Sequence, residues 1–465
     1  MLVAYTKPLF AWDCLEDSPS LQTIKAFLAT LPDGQLLDGL RQARGRGRNE
    51  YPVHVLWGTV LLTVILRHPN WEACLADLRR NEALRRLIGI RSEEAVPKKW
   101  NLSRFLEVLG EEPHFTRVRA IFDVLIQRLG LAVVDLGKDT AGDATALHAR
   151  RKRNAEEAKE EEQAGLPQPS GGKKEYLDAE GKVSKVFEWF GYKLHLIVDV
   201  KHEVALSWEI TTATASDAAT LPKTLQQAQA NLPEGRIETL AFDKAADDQQ
   251  TPKLLNRSGI KPLIEIRSMW KEEPLRMLPG HDGNSNIVYD EKGTLYCYDR
   301  TSQPMVLHQM AYNGYEEQRG TLKYRCPARH EGWTCPQDAV CNEGKEYGRT
   351  VRVKCEIDLR RFPPVPRATK KFERSYDGRT AVERVNARLK VFWGADDGNI
   401  SGARRFRALV GVVMVVHAGF ATLLAKAPRR GTLGKLHLGP VQKALAAAEA
   451  AAKQAPRAAP AQASV

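Results

Sequence analysis

The chain has 465 residues, 43% of them hydrophobic and 27% charged, which supplies a sizeable core and excludes wholly disordered, collagenous and multi-span membrane classes. Lys and Arg outnumber Asp and Glu by 69 to 57, a net charge of +12, so a polyanionic partner is expected, nucleic acid ahead of an anionic membrane surface. Asp13, Glu16 and Asp17 closely follow the opening MLVAYTKPLF, so no secretory signal is expected, and seven cysteines without one argue against a disulfide framework.

Residues 1–130 read as helices. The apolar run Tyr51–Leu66 stops at Arg67-His-Pro-Asn, Trp71–Leu87 carries Trp71, Cys74, Leu75 and Leu78 at helical intervals among arginines, and a third helix falls around Asn101–Leu109. Arginines on outer faces suit a small DNA-binding bundle and, equally, a dimerisation or packing domain. From 131 to 267 the pattern turns to strands. Val186–Val200 and Val204–Thr212 read as a hairpin, a polar helix follows over Asp217–Asn231, and strands at Ile237–Asp243 and Ile260–Ile266 flank another helix. Antiparallel strands followed by a strand–helix–strand crossover predict a mixed α/β sheet. Within it, 150–185 is an acidic and then Pro/Ser/Gly-rich stretch, read as a flexible solvated loop.

A β-rich insertion is expected over 268–370, helices resume over 371–426, and the Ala/Pro-rich 427–465 reads as disordered. Ala408–Ala425 is apolar for 18 residues, the lower limit for a membrane span, and a helix buried against the sheet is the favoured reading. Arg404, Arg405 and Arg407 just before it read as phosphate contacts or solvated charges.

The strongest local pattern is Tyr376-Asp-Gly-Arg379-Thr-Ala-Val-Glu383, continuing to Lys390. On an uninterrupted helix, at about 100° per residue, Arg379, Glu383 and Lys390 fall at about −60°, −20° and −40° from Tyr376. Val382, Val385, Leu389 and Phe392 take the opposite side. One carboxylate between two cations and a phenol suits a metal-holding acid beside a phosphate backbone, and also suits an ordinary amphipathic surface helix. Asp143, in Thr140-Ala-Gly-Asp143-Ala-Thr, and Asp243, which ends the strand Ile237–Phe242, stand where a sheet delivers carboxylates to a cleft. Asp139 and Asp199 compete for the first position, though Asp199 better suits a hairpin turn; Asp247 and Asp248 read as the solvated start of a helix. Lys193 and His195, two apart on one strand, suit phosphate contact and plain sheet surface equally.

Cys297, Cys326, Cys335, Cys341 and Cys355 cluster in the insertion with His308 and His330 nearby, but no Cys-x-x-Cys pair is present, so free thiols stand ahead of a structural Zn²⁺. Trp270, Tyr312 and Trp333 read as core aromatics or as a platform for unpaired DNA ends.

The Tyr376–Arg379–Glu383–Lys390 spacing resembles the Y-(2)-R-(3)-E-(6)-K signature of DDE-class bacterial insertion-sequence transposases, and Gly142-Asp143, Phe242-Asp243 and Phe190-Gly-Tyr-Lys-Leu-His match further motifs of that family. The resemblance covers about residues 45–425, with Ala144 and Ala245 where the family carries Ser and Gly. It implies an N-terminal helical DNA-binding domain, an RNase H-like mixed sheet with flanking helices, and a β-rich Cys-containing insertion before the catalytic helix. It further implies that Asp143, Asp243 and Glu383 hold two Mg²⁺ or Mn²⁺ ions, with Tyr376, Arg379 and Lys390 on the DNA backbone. The expected function is cleavage at the ends of an insertion sequence and joining of the 3′ ends to target DNA, by a homodimer on double-stranded DNA in the bacterial cytoplasm. A nuclease or domesticated transposase, and an inactive DNA-binding derivative, are the competing readings.

Overall fold

Among the described residues seven helices come first: α1 (Leu21–Thr30), α2 (Gly34–Arg44), α3 (Val53–Ile65), α4 (Trp71–Arg80), α5 (Glu82–Leu87), α6 (Lys99–Leu109) and α7 (His114–Ala132). Asn70 and Asn81 start α4 and α5 by accepting the N–H groups of Ala73 and Leu84, at 2.9 and 3.0 Å. Because α3 is apolar on every side, it is buried on every side. The computed structural model describes residues 20–46, 50–150, 155–178, 182–267, 269–270, 274–280, 285–396 and 400–426; the acidic N-terminus and the Ala/Pro-rich tail of the sequence reading lie outside them.

Next come β1 (Asp139–His148), α8 (Ala155–Gln163), β2 (Ser170–Leu177), β3 (Val183–Asp199), β4 (Ala205–Thr212), α9 (Asp217–Ala230), β5 (Thr239–Phe242), α10 (Gln250–Arg257) and β6 (Lys261–Ile264). The sheet order is β2-β3-β1-β5-β6, and β4 shares with β2 the outer edge of the long β3. β1 runs antiparallel to β3 and parallel to β5, so the mixed sheet expected from the strand pattern is present.

The expected loop at 150–185 is, in its described residues, a helix and an edge strand. Two of the acids of α8 are used rather than solvated. Glu161 is buried and accepts the Arg404 N–H at 2.9 Å, and Glu157 pairs with Arg405 at 3.1 Å. Carboxylates there face the positive end of the longest core helix, α15 (Ala403–Ala425). The three arginines opening α15 are accordingly internal: Arg404 lies 3.9 Å from Glu107, Arg405 pairs with Glu107, and Arg407 donates to the Gly110 carbonyl at 2.5 Å. Neither phosphate contact nor simple solvation describes them.

α15 is the one described helix long and apolar enough to cross a membrane, and most of its surface is buried inside the protein. It packs against α7, α6, α1 and α3, so the N-terminal helices and the sheet share one continuous core. Its His417 is fully buried, and its Nε2 accepts the Ala205 N–H at 2.9 Å, beside the bulge where β3 and β4 slip register. Burial holds that imidazole well below its usual pKa, hence neutral.

The described residues of 268–370 carry two small sheets. β7 (Leu275–Met277), β8 (Ile287–Asp290), β9 (Leu295–Asp299) and β10 (Val306–Gln309) make one sheet; β11 (Ala311–Glu316), β12 (Thr321–Arg325) and β13 (Thr350–Lys354) make a second, with helices α11 (Pro327–Glu331) and α12 (Asp338–Cys341) between its last strands. Its core is separate and small. The aromatics read as a DNA-end platform are half-buried and stacked: Trp270 is covered by the Arg276 guanidinium at 4.0 Å, Tyr312 packs on Tyr324, and Trp333 packs on His308. The chain then returns to the main core through α13 (Lys370–Asp377), α14 (Thr380–Ala387) and a π-helical turn, Arg388–Phe392.

Candidate active site

The pairing of β1 with β5 sets the two aspartates side by side. Ala141 pairs in parallel register with Ala241, and both are fully buried. Side chains alternate along a strand, so Asp143 and Asp243, each two residues on, project to the same face of adjacent strands. The residues between them explain the Gly-Asp and Phe-Asp dipeptides. The Phe242 ring lies against the backbone of Gly142, where a Cβ would come within 2.3 Å of it. Glycine at 142 therefore lets the two strands seat at one height.

Asp143 has its carboxyl pushed up to about 6: burial is the main cause, with the Asp243 and Asp217 carboxylates adding to it, against the Ala144 N–H and the Lys174 ammonium. Asp243 is held by its own turn, accepting the Ala245 N–H at 2.8 Å. Asp139, at the far end of β1, accepts from the Thr239 hydroxyl at 2.7 Å, and buried Asp199 caps the β3–β4 turn through His202 N–H and Gly137 N–H. Neither competes with Asp143.

Asp247 is not a solvated helix start. It forms a bidentate ion pair with Arg360, both bonds 2.6 Å and the Asp247 side chain 1% exposed, and accepts the Arg267 N–H at 2.6 Å. Arg267 in turn donates to the carbonyls of Lys244 and Ala245, at 2.6 and 2.9 Å. The turn bearing Asp243 is thus clamped from the insertion side by two arginines. Asp248 does open α10, accepting the N–H groups of Gln250 and Thr251.

The Tyr376–Lys390 segment is not one uniform helix. Gly378 breaks it, lying where an added Cβ would come within 2.7 Å of Val200, and the π turn widens it at 388–392. The aliphatic face is as expected, with Val382, Val385, Leu389 and Phe392 in the core. The polar stripe is not. Lys390 is turned onto β1, donating to the Ala146 carbonyl at 2.6 Å and pairing with Asp396 at 3.0 Å. Arg388, wholly buried, pairs with Glu203 at 2.8 Å and pins the π turn to the β3–β4 hairpin.

Tyr376, Arg379 and Glu383 remain together, and the Tyr376 phenol feels the Asp243 charge. The Arg379 guanidinium lies 5.9 Å from the Tyr376 ring centre and 3.2 Å from Glu383, whose side chain is 56% exposed. Burial raises the Tyr376 phenol; the Arg379 charge opposes this, while the Glu265 and Asp243 carboxylates reinforce it. Lys193 and His195 are held by neighbours within the sheet and α9: Lys193 bonds Asp217 and the Ala215 carbonyl, at 3.1 and 2.9 Å, and buried His195 bonds Thr211 at 2.8 Å. His195 has no open face for a phosphate in this arrangement.

Sequence reasoning missed Lys174 and Asp217, whose charges act on Asp143 along with that of Asp243. Lys174 sits on β2, whose Ser-Gly-Gly-Lys-Lys lacks the branched residues that mark a strand.

As a metal cradle the aspartate pair fits: a carboxylate whose pKa is raised by burial, with further carboxylates beside it, gains most from a cation. Among the described residues, however, no three Asp, Glu, His or Cys side chains stand close enough to share an ion, and Glu383 is spent on Arg379.

No curated protein matches this chain. Residues 140–417, more than half of its length and spanning both aspartates, Glu383 and α15 as far as His417, match the family model described as the transposase DDE domain, and the chain belongs to that family of transposases.

Proposed function

We propose that this transposase cuts DNA at the ends of its mobile element and joins the freed 3′ ends to target DNA, using Asp143, Asp243 and Glu383 on an RNase H-like sheet. The observation that carries the reading is the Asp143–Asp243 pair on one face of adjacent strands, with the Asp143 carboxyl raised by burial and by its neighbours. Bound Mg²⁺ or Mn²⁺, two ions in this reading, would stabilise the attacking and leaving oxygens of an in-line phosphoryl displacement.

The chain's own groups divide the remaining work. Asp143 and Asp243 are the fixed ligands, the first set by β1 and the second by the clamped turn. Glu383 is the adjustable one. It lies on a single helical turn with Arg379, so exchanging that partner for a cation needs only side-chain rotation. Arg379, once released, is placed to take a backbone phosphate, and the Tyr376 phenol, held protonated, can donate a hydrogen bond to one. Lys390 reaches the same backbone by leaving the Ala146 carbonyl.

The N-terminal bundle offers a surface for duplex DNA. A groove of about 780 Å³ is lined by Arg44, Lys98, Arg104 and by Trp100, which is 57% exposed. Cations flanking an exposed aromatic suit backbone contact. Since joining two ends requires both to be held, two copies on DNA are expected.

The test is strand transfer with a pre-cut end duplex and supercoiled target, in Mn²⁺. Wild type should yield joined products, and Asp143→Asn and Asp243→Asn none, although all three still bind the end DNA. Joining by either variant would remove the metal-carboxylate assignment.

A further inference from the structure

The insertion carries a second set of metal-binding side chains that the transposase chemistry does not use. Cys297 lies on β9, Cys326 caps the start of α11, Cys335 sits in the loop after α11, and Cys341 ends α12. All four line one cavity of about 30 Å³, roughly one water molecule's share of volume and so room for a single ion. We propose that these four thiols form a Zn²⁺ site that staples the insertion.

The walls of the cavity are prepared for thiolates. Asn342 directs its amide N–H at the Cys326 sulfur, 3.6 Å away, and Asn286 directs its own at Cys341, 3.9 Å away. Both amides are buried, and Arg349 sets the orientation of both: its backbone N–H donates to the Asn342 oxygen and its guanidinium to the Asn286 oxygen, each at 2.6 Å. With the oxygens occupied, each NH₂ group divides its two hydrogens between an oxygen and a sulfur: Asn342 donates to Asp338 Oδ1 at 2.7 Å as well as to Cys326, and Asn286 to the Tyr298 carbonyl at 2.8 Å as well as to Cys341. A neutral thiol is a weak acceptor and a thiolate a strong one, so buried N–H donors aimed at two sulfurs fit the ionised form. The Arg349 charge also offsets the net −2 of a zinc ion bound by four thiolates. Without a cation the thiols resist ionisation: burial first, then the other three cysteines, push Cys297 up to about 12.

The need for a staple is physical. The insertion's own core is small and its cysteines are free, the situation in which small modules recruit a metal. The spacing lacks the Cys-x-x-Cys pairs of zinc ribbons because two of the four ligands stand alone in sequence, on β9 and at the start of α11. As the side chains lie, no three ligating groups among the described residues already surround one point, so the thiols must turn inward on binding.

The test uses the full-length chain, reduced, stripped with chelator and titrated with Co²⁺ and then Zn²⁺. Tetrahedral thiolate ligation gives an intense sulfur-to-cobalt absorption that oxygen ligands such as Asp143 and Asp243 do not. The expected result is about one Co²⁺ per chain with that absorption, displaced by Zn²⁺, abolished in Cys335→Ser and in Cys341→Ser, and kept in Cys74→Ala. Should the serine variants not fold, alkylation of the wild type replaces them: Zn²⁺ should protect these four cysteines, and chelator should expose them. Absence of the absorption in reduced wild type, its persistence in both serine variants, alkylation unchanged by Zn²⁺, or a disulfide among the four in the purified protein would each overturn the proposal.

Discussion

Replacing Asp143 by asparagine should make the protein a dead enzyme and a more stable one. The native carboxyl titrates at about 6 against an unfolded value near 3.9. Because the folded pKa is raised, the native state binds more protons than the unfolded state between those values, and stability falls as pH rises through that window. At about 1.4 kcal/mol per unit, the full penalty above pH 6 is about 3 kcal/mol. Asparagine keeps the shape and carries no charge, but its buried amide returns some of that gain, leaving about 1–3 kcal/mol. The assay is urea unfolding of both proteins in chelator at pH 8 and pH 5. Asp143→Asn should be the more stable by that amount at pH 8, and by roughly half as much at pH 5. Asp199, also pushed up to about 6 by burial, is common to both proteins and cancels. Added Mg²⁺ should narrow the gap by stabilising only the wild type. Equal stability at pH 8, or a less stable variant, would refute the claim that Asp143 is held against its own charge.

Other outcomes follow from the internal ion pairs. Arg388→Ala leaves buried Glu203 with Arg384 alone, 2.6 Å away, and should cost about 1–3 kcal/mol in urea unfolding, whereas the exposed pair Lys99–Glu72 should cost under about 1 kcal/mol. Glu161→Ala removes the acceptor at the start of α15, and about 1–2 kcal/mol of stability with it. Asp247→Asn weakens the arginine clamp on the Asp243 turn; cleavage should fall about 10–100-fold while end-DNA affinity, read by filter binding, stays unchanged.

What the sequence revealed divides by range. Local patterns carried far: the alternation in Val186–Val200 and the apolar face of Val382, Val385 and Leu389 reappear in place. The misreadings concern charges whose partners are remote in sequence. Glu161 reads as solvated until Arg404 is brought to it, and Asp247 likewise until Arg360 arrives. Nothing in composition separates a solvated acid from one that meets its arginine in the fold. The Tyr376–Lys390 stripe failed for a different reason. A helical wheel assumes an unbroken α-helix, and here Lys390 lies in the π turn and bonds to β1.

The most direct measurement is Mg²⁺- or Mn²⁺-dependent cleavage of the element's own terminal DNA by wild type and by Glu383→Gln. That change preserves side-chain volume and removes the charge that Arg379 now holds. The account requires cut ends from wild type and none from the variant, with both proteins binding the DNA equally. Equal cutting by both would show that Glu383 is not the third carboxylate and that the site must be built from another acid.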